Sequence, residues 1–368
     1  VRHVRALSPT YLAPMRSVAV AILILGTVAS ASAQVELSLA AGNGGYDTTY
    51  VLDYTHILTG RLYASTKTNS FSFTDSNTGS ELVYRPNNQV NLGFGASYRA
   101  FTLNIGIGFK FLNRDDEAKG STEYFDAQGN MFGRKWVVNL FFQTYKGYYI
   151  DGRSKDSLGW DVPTTVPYRG DIRQSNFGFS ALHVFNNERF SYRAAFNQDA
   201  WQRKSAGSWL LGGYLTYYDI RSDSSLVPSA LLAQFDTTLQ FKSGSFLDFG
   251  VMGGYAHTFV VSSNWFLTGS LALGIGPTFY SKQLDTPERV GDSDDRRSGG
   301  FHAQGRVAFG RNGPRTCLAL SYNIENVTYS LGDGEDFSWS VGNFRVNLAH
   351  RFGVQVRPVD RVIEKIGG

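Results

Sequence analysis

Residues 90–111 read VNLGFGASYRAFTLNIGIGFKF, and this stretch decides the fold. On each side of Arg99, apolar side chains occupy every second position, with Gly, Ser, Thr and Asn between them. Because alternate residues of a β-strand point to opposite faces, each half predicts a strand with one apolar and one small or polar face. Each half has about ten residues, the length that a tilted strand needs to cross the hydrocarbon of a membrane.

The same alternation continues in residues 265–275, 301–309, 318–324 and 344–352. Aromatic residues make up 14% of the chain and cluster near strand ends, as in residues 145–149. Apolar strand faces flanked by aromatic girdles are typical of membrane barrels. The pattern predicts an all-β, transmembrane, antiparallel up-and-down β-barrel. A secreted soluble β-protein is the alternative, because soluble sandwiches and barrels also alternate.

The strand number is estimated from the alternating segments and from the loops between them. Strands are expected to begin near residues 59, 82, 101, 122, 135, 172, 190, 208, 246, 264, 300, 315 and 337. A weaker strand over 231–242 brings the total to about 14, an even number that puts the long loops on one side of the membrane. If that segment and one other do not span the membrane, the barrel has about 12 strands. In the last strand the apolar residues change parity, which predicts a β-bulge near Gly342.

Residues 15–34 read MRSVAVAILILGTVASASAQ, with a basic start, an apolar core and small residues at the end. This order is typical of a secretory signal peptide, whereas a membrane anchor needs a longer apolar run. We therefore divide the chain into four parts. They are an upstream extension plus a cleaved signal peptide (1–33), a periplasmic N-terminal segment (34–57), the barrel (58–352) and a periplasmic C-terminal tail (353–368).

The composition argues against several classes of protein. The single cysteine, Cys317, excludes a disulfide framework or a multi-thiolate zinc site. The formal net charge of +4 is too small and too scattered to indicate nucleic-acid binding. The sequence contains no phosphate-binding loop, zinc-protease motif or paired-cysteine motif. We therefore predict no catalytic, cofactor-binding or metal-binding residues, and a protein that is not an enzyme.

The alternation also predicts which charged side chains face the lumen. The predicted lumen-lining residues are Arg99, Lys110, Asp126, Arg193, Asp199, Arg306, Glu325, Arg345 and Arg351. A charge on the inner wall of a membrane barrel must meet water or a partner, because an unsolvated charge is costly. These residues either cross-link a filled lumen or line a wet pore in which the excess positive charge favours anions.

The histidines bear on a different class of function. Barrel lipid hydrolases would use a His with a Ser and an acidic or amide partner. His183 and His257 fall within predicted strands, His302 on the predicted lumen face and His350 near the end of the last strand. Spacing alone matches none of them to such partners, so structural roles are favoured. An outer-membrane lipid-modifying enzyme remains the alternative function.

Three stretches resemble a known family. They are YDTTYVLDYTHILTGRLYAS (46–65), the segment from LNIGIGFKFLN to FGRKWVVNLFFQTYKGYYI (103–150), and RFSYRAAFNQDAWQRKSAGSWLLGG (189–213). They look like an uncharacterised family of outer-membrane barrels from Bacteroidota, labelled as domain of unknown function 4421. The resemblance covers nearly all of the mature chain, and the run SYRAAFNQ…W…KSAGS is specific for it, whereas the alternating strands are not. It implies an outer-membrane location and brings no reaction, ligand or catalytic residue.

We therefore expect a monomeric barrel in the outer membrane of a Gram-negative bacterium, with both termini in the periplasm. Its expected partners are outer-membrane lipid and lipopolysaccharide, and the barrel-assembly machinery during biogenesis. No nucleic acid and no cofactor is expected. The expected function is that of a structural barrel or of a narrow passive channel for a small solute.

Overall fold

A computed structural model describes residues 33–39, 45–87, 90–99, 101–108, 116–153, 155–162, 164–262, 264–286, 290–357 and 360. Except for Ala33, the predicted signal peptide lies outside these residues. Among the helices of the described ranges, none combines the length and the apolar character needed to cross a membrane.

The described chain is mostly β-strand. The strands are β1 (Ala33–Leu39), β2 (Val51–Asp53), β3 (Thr59–Asp75), β4 (Ser80–Arg85), β5 (Val90–Tyr98), β6 (Phe101–Gly108), β7 (Glu123–Phe132), β8 (Trp136–Asp151), β9 (Tyr168–Val184), β10 (Ala200–Gln202), β11 (Ala206–Arg221), β12 (Phe241–Val260), β13 (Trp265–Asp285), β14 (Val290–Asn312), β15 (Thr316–Ser330) and β16 (Glu335–Arg351). The helices are α1 (Asp116–Lys119) and α2 (Tyr192–Phe196), with 3₁₀ turns at Asp156–Leu158, Ser229–Gln234 and Thr237–Leu239.

The sheet closes into a barrel because the last strand, β16, pairs antiparallel with β3 along its whole length. The shortest closed path runs through ten strands: β3, β4, β8, β9 and β11–β16. β4 and β5 follow each other along β3, and at β4 the wall passes directly to β8. Beside β5 the wall is wider and contains β6, β1 and β7. The predicted all-β antiparallel barrel is therefore confirmed as a fold.

β1 belongs to the predicted N-terminal segment 34–57, yet it lies in the wall. It pairs antiparallel with β6 and parallel with β7. Every other strand pairing among the described residues is antiparallel.

The two ends of the barrel differ in their connections. At one end, which we call the turn end, short turns join β7 to β8, β12 to β13 and β14 to β15. At the other end, the loop end, long segments join β8 to β9 and β11 to β12, while short turns join β3 to β4, β13 to β14 and β15 to β16. The segment between β9 and β11, residues 185–205, starts at the turn end and folds into the barrel.

Two predicted strands are not strands, so the predicted set of about 14 is not confirmed strand for strand. The strand expected near 190 is replaced by α2 and β10, because four consecutive residues, Tyr192–Ala195, are all buried inside the barrel. A wall strand would expose every second residue. The strand expected over 231–242 is instead two 3₁₀ turns. Its buried residues Leu231, Phe235 and Leu239 recur every fourth position, which is a helical spacing.

The large apolar side chains that are exposed form a belt around the barrel nearer the turn end. On β13, for example, Trp265, Leu271 and Ile275 point outward, and the belt includes strands on all sides of the wall. We call this part of the barrel the belt half and the remainder the loop half. In the loop half the outward positions are mostly small or polar, and the inward ones are aromatic.

The bulge expected near Gly342 does not form. β16 keeps an unbroken register with both β15 and β3 through Gly342 and Asn343. Phe337 and Trp339 point inward while Phe344 and Leu348 point outward on the same unbroken alternation. The change of parity therefore marks a change in the surroundings of the strand.

Candidate functional site

The interior of the belt half is a layer of polar and charged side chains. They point inward because they occupy the strand positions that alternate with the apolar belt. Lys67 on β3 and Asp126 on β7 form a buried ion pair with Nζ and Oδ2 2.6 Å apart. Asp126 also accepts hydrogen bonds from Gln143 Nε2 at 3.0 Å and the Tyr145 hydroxyl at 3.1 Å. The charge of Asp126 is thus compensated inside the barrel.

A second group spans the lumen from β14 to β8 and β9. Arg306 Nη2 donates to Asn139 Oδ1 at 2.7 Å, and its guanidinium lies 5.5 Å from the centre of the Phe132 ring. Gln304 and Asn139 each donate to Ser180 Oγ at 2.9 Å. These bonds connect opposite walls directly, so they cross-link the interior at this height.

The His302 side chain is fully buried on β14 and contacts side chains of two other strands, β15 and β11. Its Nε2 lies 2.9 Å from Glu325 Oε1, and the Tyr214 ring packs edge-on at 4.4 Å. The Tyr214 hydroxyl in turn donates to Asp248 Oδ1 at 3.4 Å. No Ser hydroxyl is hydrogen-bonded to His302 among the described residues. The described residues also contain no group of three or more His, Cys, Asp or Glu arranged to hold a metal ion.

A cavity of about 70 Å³ lies within the polar layer. Its lining includes Asn139, Gln304, Arg306, Asn323 and Asn343. A cavity of this size has room for a few water molecules. It is a small polar pocket, far smaller than the channel of a porin.

The loop end is closed by an aromatic cluster. Tyr218 stacks on Trp339 at 5.7 Å, and Phe246 stacks on Tyr329 at 4.9 Å, each pair joining different strands. Trp339 Nε1 donates to the Tyr329 hydroxyl at 3.0 Å, so the buried indole N–H is satisfied. The segment between β11 and β12 adds further buried apolar residues, namely Leu226, Val227, Leu231, Phe235 and Leu239.

The turn end is closed by the inner segment, which we define as residues 186–204. Arg193 and Asp199 form a buried ion pair at 2.7 Å within it. Arg351, at the end of β16, donates from Nη2 to Gln198 O at 2.6 Å and to Ala200 O at 3.1 Å. Gln198 has a φ of 55°, a conformation that non-glycine residues rarely adopt, so the surrounding contacts must hold it.

The N-terminal part supports the same closure. β2 pairs with β10 of the inner segment through Ala200–Gln202. Arg61 on β3 donates from Nε to Asn197 O at 3.0 Å. The inner segment is therefore bonded both to the wall and to residues 51–53.

The structure distributes the predicted lumen residues over three environments. Asp126, Arg306, Glu325 and Arg345 lie in the polar layer, where Arg345 packs 4.5 Å from the centre of the Tyr63 ring. Arg193, Asp199 and Arg351 lie at the turn end, in or against the inner segment. Arg99 lies outside the polar layer, and Lys110 is outside the described residues. That these residues line a passage remains a prediction.

Arg99 instead lies in the β5–β6 turn and binds the C-terminal tail. Its Nε is 2.9 Å from Asp360 Oδ1, and the Tyr98 hydroxyl donates to Asp360 Oδ2 at 2.6 Å. The hydrogen bond from Tyr98, together with Arg99, lowers the pKa of Asp360 below its ordinary value of 3.8. The tail is thus attached to the turn end by a charged contact.

Sequence reasoning missed Arg61 and Lys67, which both lie on β3. Their inward faces are marked by the alternation Arg61, Tyr63, Ser65, Lys67, Asn69. The outward face of β3 is apolar only at Leu62 and Ala64 and then becomes Thr and Ser, because the strand leaves the belt there. A search for alternating polar residues, independent of the apolar face, could have found them.

Known proteins with similar structures are barrels of several kinds. The translocator domain of autotransporter NalP from Neisseria meningitidis shares 10% identity at a TM-score of 0.32, covering 92% of this chain and 96% of that one. The Pseudomonas putida toluene transporter TodX shares 11% sequence identity at a TM-score of 0.24, and the match covers 80% of this chain and 68% of TodX. The outer membrane protein OprG from Pseudomonas aeruginosa shares 11% sequence identity at a TM-score of 0.22, and the match covers 82% of this chain and 98% of OprG. At these TM-scores the likeness assigns no function.

No curated protein matches the chain. A family model does match, over residues 45–352, and it contains most of the polar layer, the aromatic cluster and the inner segment. The family resemblance seen in the sequence is therefore confirmed: the chain belongs to the family described as Domain of unknown function (DUF4421).

Proposed function

We propose that this protein is an outer-membrane β-barrel with a filled interior, which serves as a structural barrel rather than as an open pore. The observation that carries the proposal is the double closure of the lumen. The aromatic cluster fills the loop end, the inner segment fills the turn end, and a cross-linked polar layer lies between them.

The apolar belt supports the membrane location. It includes strongly exposed residues such as Leu62, Leu211 and Val251, and it continues around the wall. Soluble monomers rarely expose a contiguous apolar patch larger than a few hundred Å². A belt of outward apolar side chains with polar residues inside is the arrangement of an outer-membrane barrel.

The connections support an orientation. Outer-membrane barrels have short periplasmic turns and longer external loops. On this rule the turn end is periplasmic, as are residues 45–57, the inner segment and the C-terminal tail. The loop half then extends beyond the membrane on the outside.

The charged lumen residues fit this role as cross-links. Burying a charge is strongly unfavourable unless it is paired and hydrogen-bonded. Asp126, Arg193 and Asp199 each have such partners at the distances given above. We propose that they hold the interior closed.

The first experiment measures membrane insertion and ion current. The purified protein is expected to need detergent, to migrate differently on a gel before and after boiling, and to give no steady current in planar bilayers. Replacing residues 186–204 by a short turn removes the inner segment, which closes the turn end. Replacing residues 223–239 by a Gly-Ser linker removes the part of the β11–β12 loop that contributes to the closure of the loop end. Current from the combined variant alone would support two closures in series. Steady current from the unmodified protein would contradict the proposal.

A narrow passive channel for a small solute is the second candidate. The cavity beside Arg306 favours it, because it provides a polar site at mid-barrel with room for water. If current appears, Arg306→Glu should reduce the preference for anions. Unchanged selectivity would contradict a role for this residue in a passage.

A further inference from the structure

The outer wall carries a row of basic residues on three neighbouring strands. Register places Lys146 of β8 beside Arg173 of β9, and Arg173 beside Arg221 of β11. Neighbouring strands lie about 4.8 Å apart, so the three Cα atoms fall within about 10 Å. We call these three residues the basic row. Lys146 directly precedes a register shift at Gly147, whose φ is 90°.

The basic row lies just beyond the apolar belt, on its loop-end side. Two residues closer to the turn end, the outward positions of the same three strands are Thr144, Ser175 and Asp219. Four residues closer to the turn end, they are Phe142, Phe177 and Tyr217. The last three are exposed on the outer wall. Exposed aromatic residues at the edge of a belt mark the membrane interface. The basic row therefore faces the headgroup region.

The charges of the row are only partly compensated. Arg221 Nε lies 2.9 Å from Asp219 Oδ1, while Lys146 Nζ lies 4.0 Å from Glu123 Oε2. Among the described residues Arg173 forms no ion pair and is exposed. The row thus presents three cations beside two carboxylates, all at the surface.

The outward positions of β15, β16 and β3 beyond the belt carry no such row. Register aligns Thr328 of β15 with Ser338 of β16, and Ser338 with Ser72 of β3. These outward positions carry hydroxyl groups and no charge. Further exposed basic residues beyond the belt lie on β14, at Arg296 and Arg297.

A groove on the outer wall adjoins the row. It has a volume of about 480 Å³, and its lining includes Tyr217, Leu247, Phe279 and Arg297. The Arg297 guanidinium lies 5.3 Å from the centre of the Phe279 ring. Tyr217 stands on the same strand as Arg221, so apolar wall and basic row are continuous.

We propose that Lys146, Arg173 and Arg221 bind the phosphate groups of a phosphorylated lipid headgroup in the outer leaflet, with its acyl chains against Phe177, Tyr217 and the groove. This inference rests on the proposed membrane location. Guanidinium groups match phosphate geometry bidentately, and a lysine adds a point charge. We assign a lipid as the occupant because the side chains of the basic row are exposed to solvent and would hold a free anion only weakly. A lipid would gain further contacts between its acyl chains and the apolar wall beside the row.

The test compares lipids that differ only in phosphate. Fluorescent diphosphorylated lipid A and its dephosphorylated form are titrated into the full-length protein in detergent micelles. The variant is Arg173→Gln with Arg221→Gln. Each basic residue near a membrane surface contributes about a factor of five, so the double variant should bind the diphosphorylated lipid about 25-fold more weakly. Binding of the dephosphorylated lipid should not change.

The matched control is Arg311→Gln with Arg315→Gln, which removes two exposed arginines at the turn end. This control should bind both lipids as the unmodified protein does. Equal loss in both double variants would overturn the proposal, and so would no loss in either. Competition by inorganic phosphate at millimolar concentration would show recognition of the free anion and would also overturn it. Heat-modifiable migration is read in parallel, so that a failure of the barrel assignment is distinguished from a failure of lipid binding.

Discussion

The belt half and the loop half of this barrel have opposite polarity. In the belt half, large apolar side chains such as Leu271 and Phe344 point outward, and Lys67 and Asp126 pair inside. In the loop half, Phe337 and Trp339 point inward and pack among aromatic rings. The same strands run through both halves, so backbone geometry does not account for the difference.

The opposite polarity of the two halves indicates that the outer wall of the barrel faces hydrocarbon in the belt half and water in the loop half. Where hydrocarbon surrounds the strands, apolar residues gain by facing out, and polar residues must find partners inside. Where water surrounds them, the same wall behaves as a soluble protein and buries its apolar residues. β14 has 23 residues, more than twice the roughly ten needed to cross hydrocarbon, so one strand can serve both halves.

The largest expected effect tests the loop half as a hydrophobic core. Phe337→Ala should lower the free energy of unfolding by about 3–5 kcal/mol, because Phe337 is fully buried and its removal leaves a cavity. Phe344→Ala, on the same strand but 42% exposed, should cost about 1 kcal/mol or less. Urea unfolding in detergent micelles, followed by tryptophan fluorescence, measures both. Equal losses would mean that the two halves do not differ in this way.

A smaller effect locates the hydrocarbon. Leu271→Arg places a charge in the middle of the belt and should cost about 2–4 kcal/mol on folding into lipid vesicles. Gln283→Arg adds the same side chain at an exposed outward position of the same strand, β13, in the loop half. Its cost should stay within about 0.5 kcal/mol. If both substitutions are tolerated equally in vesicles, the belt is not in contact with lipid.

The smallest effect concerns the turn end, at the edge of the belt half that lies away from the loop half. Because the Asp360 pKa is lowered in the folded protein, the tail contact is complete above pH 3.8 and is lost as pH falls through that lowered pKa. A spin label at Arg357→Cys should become mobile in that acidic window, while the buried Cys317 stays unlabelled. Asp360→Asn should make the label mobile at neutral pH. A label that stays ordered in this variant would refute the contact.

The sequence predicted the belt half well and the loop half poorly. Alternation from Trp265 to Ile275 identifies a belt strand, because one face is uniformly apolar. In the loop half, Thr68, Ser70 and Ser72 face out, so that the apolar face that defines a membrane strand is missing. The upper part of β3 is therefore not distinguishable from a polar loop by hydropathy.

The interior was predictable only as a list of charged residues. The alternation predicted that Asp126 and Arg306 turn inward, but no pattern connects Arg306 on β14 with Asn139 on β8. Such partners meet across the lumen, far apart in sequence. The inner segment was missed for a related reason: Tyr192–Ala195 are buried on every side, which leaves no periodicity for either a strand or an amphipathic helix.

Because the register of β16 is unbroken, the directions of its side chains show where along the strand the surroundings change from hydrocarbon to water. Its apolar residues stop facing outward at Phe344 and start facing inward at Val341, so the water boundary falls at the two residues between them, Gly342 and Asn343. The same switch of parity can be sought in the other strands of this barrel. Joined across the sheet, those points would trace the membrane surface on the wall, and a tilt of the barrel would follow from the slope of that line.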